Sequence, residues 1–377
     1  MATTEERELL RANKHGPVLQ LWLDKDSQHQ HVASALRKNK TVTTVSVFVE
    51  EDFMESPLQD IAHLFRAIGC LPLQNLYIYS FGRNFDVFPI RLLIEVFSRA
   101  KKLEVLTMYF IELGGKKKHF DAFEAAIRGH PSLREFRLEN CRLPDDYLNT
   151  HGLDQFVKTL GTLPKIEKID LFATEMGYLG TLSKESMANL AGIKNLACLS
   201  LINFALGNDH ITALSQALKG NTNLTELAIS CDPKFCSALA PVIATNQTLN
   251  QVKVRMDSLD DDVFVQSIAG GLKDNKSITR FDLQGDVQNK LSVASQKIFA
   301  DMLEKNSTLE YLEIPLTDQD SKMKAKYYLK LNQTGKRGLM ENPGTSKKEL
   351  VNALAYVGDD LDCLNHFLAT KPTLVHD

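Results

Sequence analysis

One apolar pattern returns along this chain too often and too evenly to be accidental. It runs apolar, two variable, apolar, one variable, apolar. The copies are Val18/Leu21/Leu23, Val42/Val45/Val47, Leu73/Leu76/Ile78, Leu103/Leu106/Met108, Leu133/Phe136/Leu138 and Ile166/Ile169/Leu171. They continue as Leu196/Leu199/Leu201, Leu224/Leu227/Ile229, Leu249/Val252/Val254, Ile278/Phe281/Leu283 and Leu309/Leu312/Ile314, eleven in all. From Val42 to Leu309, nine steps span 267 residues, a mean period of about 30. A unit this short cannot bury its own apolar face, so neighbouring units must stack.

The last two apolar positions of each copy alternate with a variable one, which places them on one side of a short strand. Helix-period segments lie between the copies. Leu58, Ile61, Leu64, Phe65 and Ile68 share one helical face, as do Ile90, Leu93, Ile94 and Phe97, and again Ile211, Leu214 and Leu218. Pro57 and Pro89 sit where helices begin, a position that tolerates a missing N–H. Asn39, Asn221, Asn246, Asn275 and Asn306 each stand three residues before a copy, where an asparagine in the left-handed conformation would end a helix. Each unit therefore reads helix, turn, strand. The expected fold is α/β: a solenoid with a parallel sheet on the concave face and helices on the convex face.

The segment Leu133-Arg-Glu-Phe136-Arg-Leu138-Glu-Asn-Cys141-Arg-Leu143 follows an L-x-x-L-x-L-x-x-C-x-L core. In this the chain resembles the ribonuclease-inhibitor-type leucine-rich-repeat family, over roughly residues 18 to 316. The resemblance implies a right-handed β-α horseshoe, a fold that serves many different partners. Thr174, Phe204, Asp232, Asp257 and Asp286 stand where Cys141 stands in that copy, so the loops leaving those strands should be irregular. Solenoids need polar-faced ends. Residues 1–17 are expected to form an N-terminal cap, 18–320 the array, and 321–377 a helical C-terminal cap with helices from Ser346 to Tyr356 and from Asp359 to Leu368. The tail phrases Tyr327-Tyr-Leu-Lys-Leu-Asn and Asp359-Asp-Leu-Asp-Cys-Leu are similar to those of leucine-rich-repeat proteins of some unicellular algae, which implies no activity.

Composition narrows the function. The formal net charge is −3 over 377 residues, so no strong field draws the chain to nucleic acid or anionic lipid. No apolar run of about 18 residues spans a membrane. The polar, acidic start lacks the apolar core of a signal peptide, so a cytoplasmic or nuclear protein with reduced cysteines is expected.

No motif carries chemistry. Gly114-Gly-Lys-Lys-Lys118 lacks the spacing and the Ser/Thr of a P-loop and reads as a solvated basic loop. Cys198, Cys231 and Cys236 form no pair of zinc-ligand spacing and read as buried reduced thiols. His29 and His31 read as surface histidines, and Asp260-Asp-Asp262 as a helix start complementing the dipole. No histidine lies at strand level beside a cysteine to make a nucleophile and base. The expectation is a non-enzyme with no metal and no cofactor.

Side chains pointing outward from the strands hold the remaining information. Phe48, Tyr77, Tyr79, Tyr109, Phe172 and Ile202 gather large apolar groups in the earlier half, with Arg137 and Glu139 among them and Lys253 and Arg255 later. Exposed aromatics of this kind mark binding surfaces. The expected partner is a protein or peptide gripped by these ten residues, with the chain a monomer or part of a hetero-complex. The alternative is a regulator of an enzyme partner, of the GTPase-activating or inhibitor type. Those activators usually carry an acidic tail, which this C-terminus lacks at comparable length. An actin-filament-capping role would need amphipathic helices before the array, and only 17 residues precede Val18.

Overall fold

The structure, a computed structural model, describes residues 16–23, 29–50, 57–80, 86–143, 145–173, 182–204, 206–256, 262–285, 291–338, 345–355 and 360–370. Most of the expected N-terminal cap, and Asp257, Asp260 and Asp286, lie outside them. The chain divides into two compact units, 1–204 and 205–377.

In the first unit, strands β1 (Val18–Leu23), β2 (Thr44–Val49), β3 (Asn75–Ser80), β5 (Val105–Tyr109), β7 (Glu135–Glu139), β8 (Lys168–Phe172) and β9 (Cys198–Ile202) pair in that order, all parallel. Helices α1 (His29–Leu36), α2 (Leu58–Gly69), α3 (Arg91–Phe97), α4 (Lys117–Ile127), α5 (Asp145–Leu160) and α6 (Lys184–Ala191) alternate with them, each packed on the next. Two further strands, β4 (Asp86–Pro89) and β6 (Ile111–Gly114), make a separate parallel pair that the apolar pattern did not predict.

In the second unit, β10 (Glu226–Ser230), β11 (Gln251–Arg255), β12 (Arg280–Gln284) and β13 (Tyr311–Glu313) form a parallel run in order. The helices there are α7 (Asn208–Lys219), α8 (Pro233–Cys236), α9 (Ala240–Thr245), α10 (Asp262–Asp274), α11 (Val293–Leu303), α12 (Gln319–Thr334), α13 (Lys347–Ala355) and α14 (Leu361–Thr370). The last helices pack a small cluster of Tyr327, Leu331, Cys363 and Phe367. Both units thus have the expected leucine-rich-repeat arrangement of stacked strand–helix repeats.

The apolar pattern is the core. Val45, Val47, Leu76, Ile78, Leu106, Met108, Phe136, Leu138, Ile169 and Leu171 are all fully buried. The predicted helical face of α2 is buried as well, through Ile61, Leu64, Phe65 and Ile68. Each such side chain contributes about 1.5–3 kcal/mol relative to exposure.

The first copy is shifted. Leu19 pairs with Val45 and Leu21 with Val47, while Val18 pairs with Thr44 and is 53% exposed. The inward residues of β1 are therefore Leu19, Leu21 and Leu23, and Val18 is not one of them. The run Val-Leu-Gln-Leu-Trp-Leu is apolar at Leu19, Leu21 and Leu23 alike, so its own pattern admits two registers a pair of residues apart, and the neighbouring strand selects one.

The asparagines serve a different purpose from the one expected. Among the described residues, the non-glycine ones with left-handed backbone are Phe110, Asn140 and Asn203, just past β5, β7 and β9. Asn39, Asn246, Asn275 and Asn306 instead turn their side chains onto backbone. Asn275 Oδ1 accepts from Ser277 N at 2.8 Å and Ile278 N at 2.6 Å, and its Nδ2 donates to Ile243 O at 2.6 Å and Asn246 O at 3.1 Å. Asn246 bonds Leu218 and Asn221 in the same way, Asn306 bonds Leu272 and Asn275, and Asn332 bonds Asn306 and Leu309. An amide side chain is both donor and acceptor, so one residue closes its own turn and ties it to the previous one. In the first unit Cys70, Ala100, His130, Leu163 and Ile193 hold the equivalent places and the ladder is broken. His130 keeps a fragment of it, its Nε2 bonding Ala100 O at 3.1 Å.

Two smaller expectations also change. Cys231 is disulfide-bonded rather than a reduced thiol. The expectation weighed zinc-ligand spacing, which does not bear on whether two cysteines pair with each other. His29 is 4% exposed, not a surface histidine, because it opens α1 on the side facing the core.

Candidate functional site

Parallel pairing without stagger sets equivalent residues side by side, about 4.8 Å apart from strand to strand. In the first unit, one outward row therefore reads Trp22, Phe48, Tyr79, Tyr109, Glu139, Phe172, Ile202. The row beside it reads Gln20, Ser46, Tyr77, Thr107, Arg137, Asp170, Ser200.

The aromatic members of the first row stack on one another. Ring centroids are 4.6 Å apart for Trp22–Phe48, 5.2 Å for Phe48–Tyr79 and 4.8 Å for Tyr79–Tyr109, with interplanar angles of 25°, 18° and 4°. These separations match the strand spacing, so the sheet itself imposes the stack. Tyr77 joins from the neighbouring row, 6.4 Å from Tyr79. Each pair contributes about 0.5–1.5 kcal/mol beyond area burial. The stack also holds the rings in place before any partner arrives, which lowers the entropy lost on binding.

A charged cluster ends the ladder. The Arg137 guanidinium lies 5.4 Å from the Tyr109 ring centre and pairs with Glu139 at 2.5 Å and Asp170 at 3.3 Å. Burial works against the charge of Arg137, but Asp170 and Glu139 outweigh it and hold the group protonated still more firmly. The Tyr79 hydroxyl is pushed up by burial first, then by Tyr109 and Tyr77. Burial raises Tyr109 as well, with Arg137 opposing and Glu139 and Asp170 adding to the rise. The face therefore offers neutral hydroxyls, ring edges and a guanidinium shared by two carboxylates.

The structure brings together Phe48, Tyr77, Tyr79, Tyr109, Arg137 and Glu139 among the expected residues. Phe172 is half-buried and stands beyond Glu139 in the row. Ile202 shares the register but is 4% exposed, so it offers no surface to a partner. Lys253 and Arg255 lie on β11 in the second unit, half-buried and exposed respectively. That unit has its own cluster: Arg280 sits 4.1 Å over the Tyr311 ring and pairs with Asp282 at 3.2 Å and Glu313 at 3.9 Å. Lys253 is in register with Asp282.

Sequence reasoning missed Trp22, Asp170 as a partner of Arg137, and Phe110. Trp22 lies between Leu21 and Leu23 and so already faced outward in the expected copy, but only the two-residue shift of β1 sets it beside Phe48. Phe110 follows Tyr109 with φ 55° and is 46% exposed, a conformation that strains a bulky residue by about 1–2 kcal/mol. Among the described residues no group of His, Cys, Asp and Glu could hold a metal ion, and no helix is long and apolar enough to cross a membrane. Burial pushes the Cys141 thiol up to about 12, far from the range of a reactive thiolate.

No family model matches the chain, and no curated protein does. Among solved structures, it is similar to leiomodin-1 actin-binding site 2, at 18% identity over 41% of this chain and 90% of that one, with a TM-score of 0.37. It is also similar to the tropomodulin C-terminal domain from Caenorhabditis elegans, at 16% identity over 41% of this chain and 96% of that one, with a TM-score of 0.36. Likenesses at that level name no partner for this chain.

Proposed function

We propose that this protein is a non-enzymatic binding scaffold that holds a protein or peptide partner on the outward sheet face of its first unit. The observation that carries this reading is the stacked row Trp22, Phe48, Tyr79 and Tyr109, closed by Arg137 with Glu139 and Asp170. Preformed aromatics and a half-buried arginine are the residue types that dominate binding hot spots. Their fixed positions on strands suit recognition, since a site built on a rigid element holds its geometry. Cofactor chemistry has no part in this reading.

The test is affinity purification with the full chain and with a Tyr77→Ala/Tyr109→Ala variant whose circular dichroism matches the parent. The expected result is a partner retained by the parent and lost by the variant. Undiminished recovery by a folded variant would remove this face as the binding site.

A further inference from the structure

We infer that the partner presents an extended segment lying across the strands, with apolar side chains over the Phe48–Tyr109 ladder and a lysine or arginine over the Glu139–Asp170 carboxylates. The inference rests on the proposed binding role and adds the chemistry of the occupant.

The first argument concerns ring faces. Tyr79 is sandwiched between Phe48 and Tyr109, and the guanidinium of Arg137 sits over Tyr109. Stacking thus uses the electron-rich faces, and a partner meets ring edges, which carry the positive rim of the quadrupole. Edges favour apolar side chains and carbonyl oxygens. They repel a cation, so a basic residue finds no place along the ladder.

Charge supplies the second argument. The outward positions of β1, β2, β3 and β5 in both rows are uncharged, as are Val18, Thr44, Asn75 and Val105 beside them. Among the described strand residues of this unit, the outward charges lie on β7 and β8: Glu135, Glu139 and Asp170 against Arg137 and Lys168, three acids and two bases. Glu139 and Asp170 share a single guanidinium, so one negative charge at that point is not neutralised by Arg137. A cation arriving there restores balance, whereas an anion meets two carboxylates.

Spacing supplies the third. Tyr79 and Asp170 are three strand intervals apart in the order β3-β5-β7-β8, about 14 Å at 4.8 Å each. An extended chain covers about 3.3 Å per residue, so the basic residue should follow the apolar contact by about four positions.

The experiment is selection from a displayed library of random twelve-residue peptides on the full chain, on a Tyr79→Ala variant and on an Asp170→Asn/Glu139→Gln variant. The expected outcome is a family of peptides enriched on the parent and absent on Tyr79→Ala. Its members should carry Lys or Arg about four residues from an apolar pair. The carboxylate variant should bind them roughly tenfold more weakly, about 1.4 kcal/mol, and should no longer distinguish them from analogues with Gln at the basic position. Enrichment that needs Tyr79 but shows no basic residue, or favours acidic ones, overturns this inference and leaves the binding role standing. Absence of any Tyr79-dependent enrichment overturns both.

Discussion

Replacing Asn275 by alanine removes the centre of the amide ladder in the second unit, and the structure sets the size of the loss. Asn275 is fully buried. Its side chain satisfies the backbone N–H of Ser277 and of Ile278 and the carbonyl of Ile243. Alanine reaches none of them. Each buried backbone group left without a partner costs about 1–3 kcal/mol, and water at the half-buried Ser277 lowers the sum to about 3–5 kcal/mol. Asn221 provides the comparison. Its Oδ1 accepts from Asn223 N and Leu224 N at the partly exposed start of the ladder, where water can replace it, so Asn221→Ala should cost about 1 kcal/mol. A third variant, Asn275→Leu, restores volume without polar atoms and separates lost hydrogen bonds from a cavity. Urea unfolding followed by far-UV circular dichroism, with midpoints compared at a common slope, reads all three. The expected order is Asn275→Ala and Asn275→Leu far below Asn221→Ala. A loss at Asn275 no greater than at Asn221, or its full rescue by leucine, would refute the argument that the ladder is held by backbone hydrogen bonds.

Two further outcomes follow from other sites. His130 is 2% exposed, bonds Ala100 O through Nε2, and its Nδ1 lacks a partner. Burial lowers its pKa, the Ala100 bond opposes the shift and Lys101 adds to it. A histidine depressed in the folded state contributes full stability above the unfolded value of about 6.5 and loses it as pH falls from there toward the folded value, because the unfolded chain then binds the extra proton. His130→Asn, which supplies the amide found at Asn246 and Asn275, should therefore lose less stability than the parent between pH 7 and pH 5 in urea titrations, and an equal loss would contradict the assignment. Gly271 and Gly270 should respond oppositely to alanine. A Cβ at Gly271 would lie 2.7 Å from Ala240 O, while one at Gly270 meets nothing within 4 Å. Gly271→Ala should lower the unfolding free energy by about 1–3 kcal/mol, and Gly270→Ala should raise it by up to about 1 kcal/mol through helix propensity; thermal melts of the two variants decide.

Much of the candidate site was legible before the structure because outward positions follow from inward ones. Once Leu76 and Ile78 are buried, Tyr77 and Tyr79 must face the other way, and the same holds for Tyr109 and Arg137. Pairwise stacking was not legible, since it depends on zero stagger between strands that sequence distance does not state. Ile202 shows the limit of the rule: alternation places it outward, in register with Phe172, yet it is buried. The ladder asparagines were found by position and misread in role, because Asn supplies both a tolerated left-handed backbone and a bidentate side chain, and only coordinates distinguish the two.

What the amino-acid order alone determined was the repeat itself: buried strand positions, the helices between them, and the asparagine at five of the turns. These are local periodicities, and burial acts on them one unit at a time. What only tertiary structure decided was register and neighbourhood. β1 could sit in either of two registers, and pairing with β2 set Leu21 beside Val47 and Trp22 beside Phe48 in the aromatic row. Asp170 met Arg137 because β8 lies against β7. Such contacts join residues about one repeat apart, and no residue's own neighbours in sequence carry information about which side chain will lie beside it on the next strand.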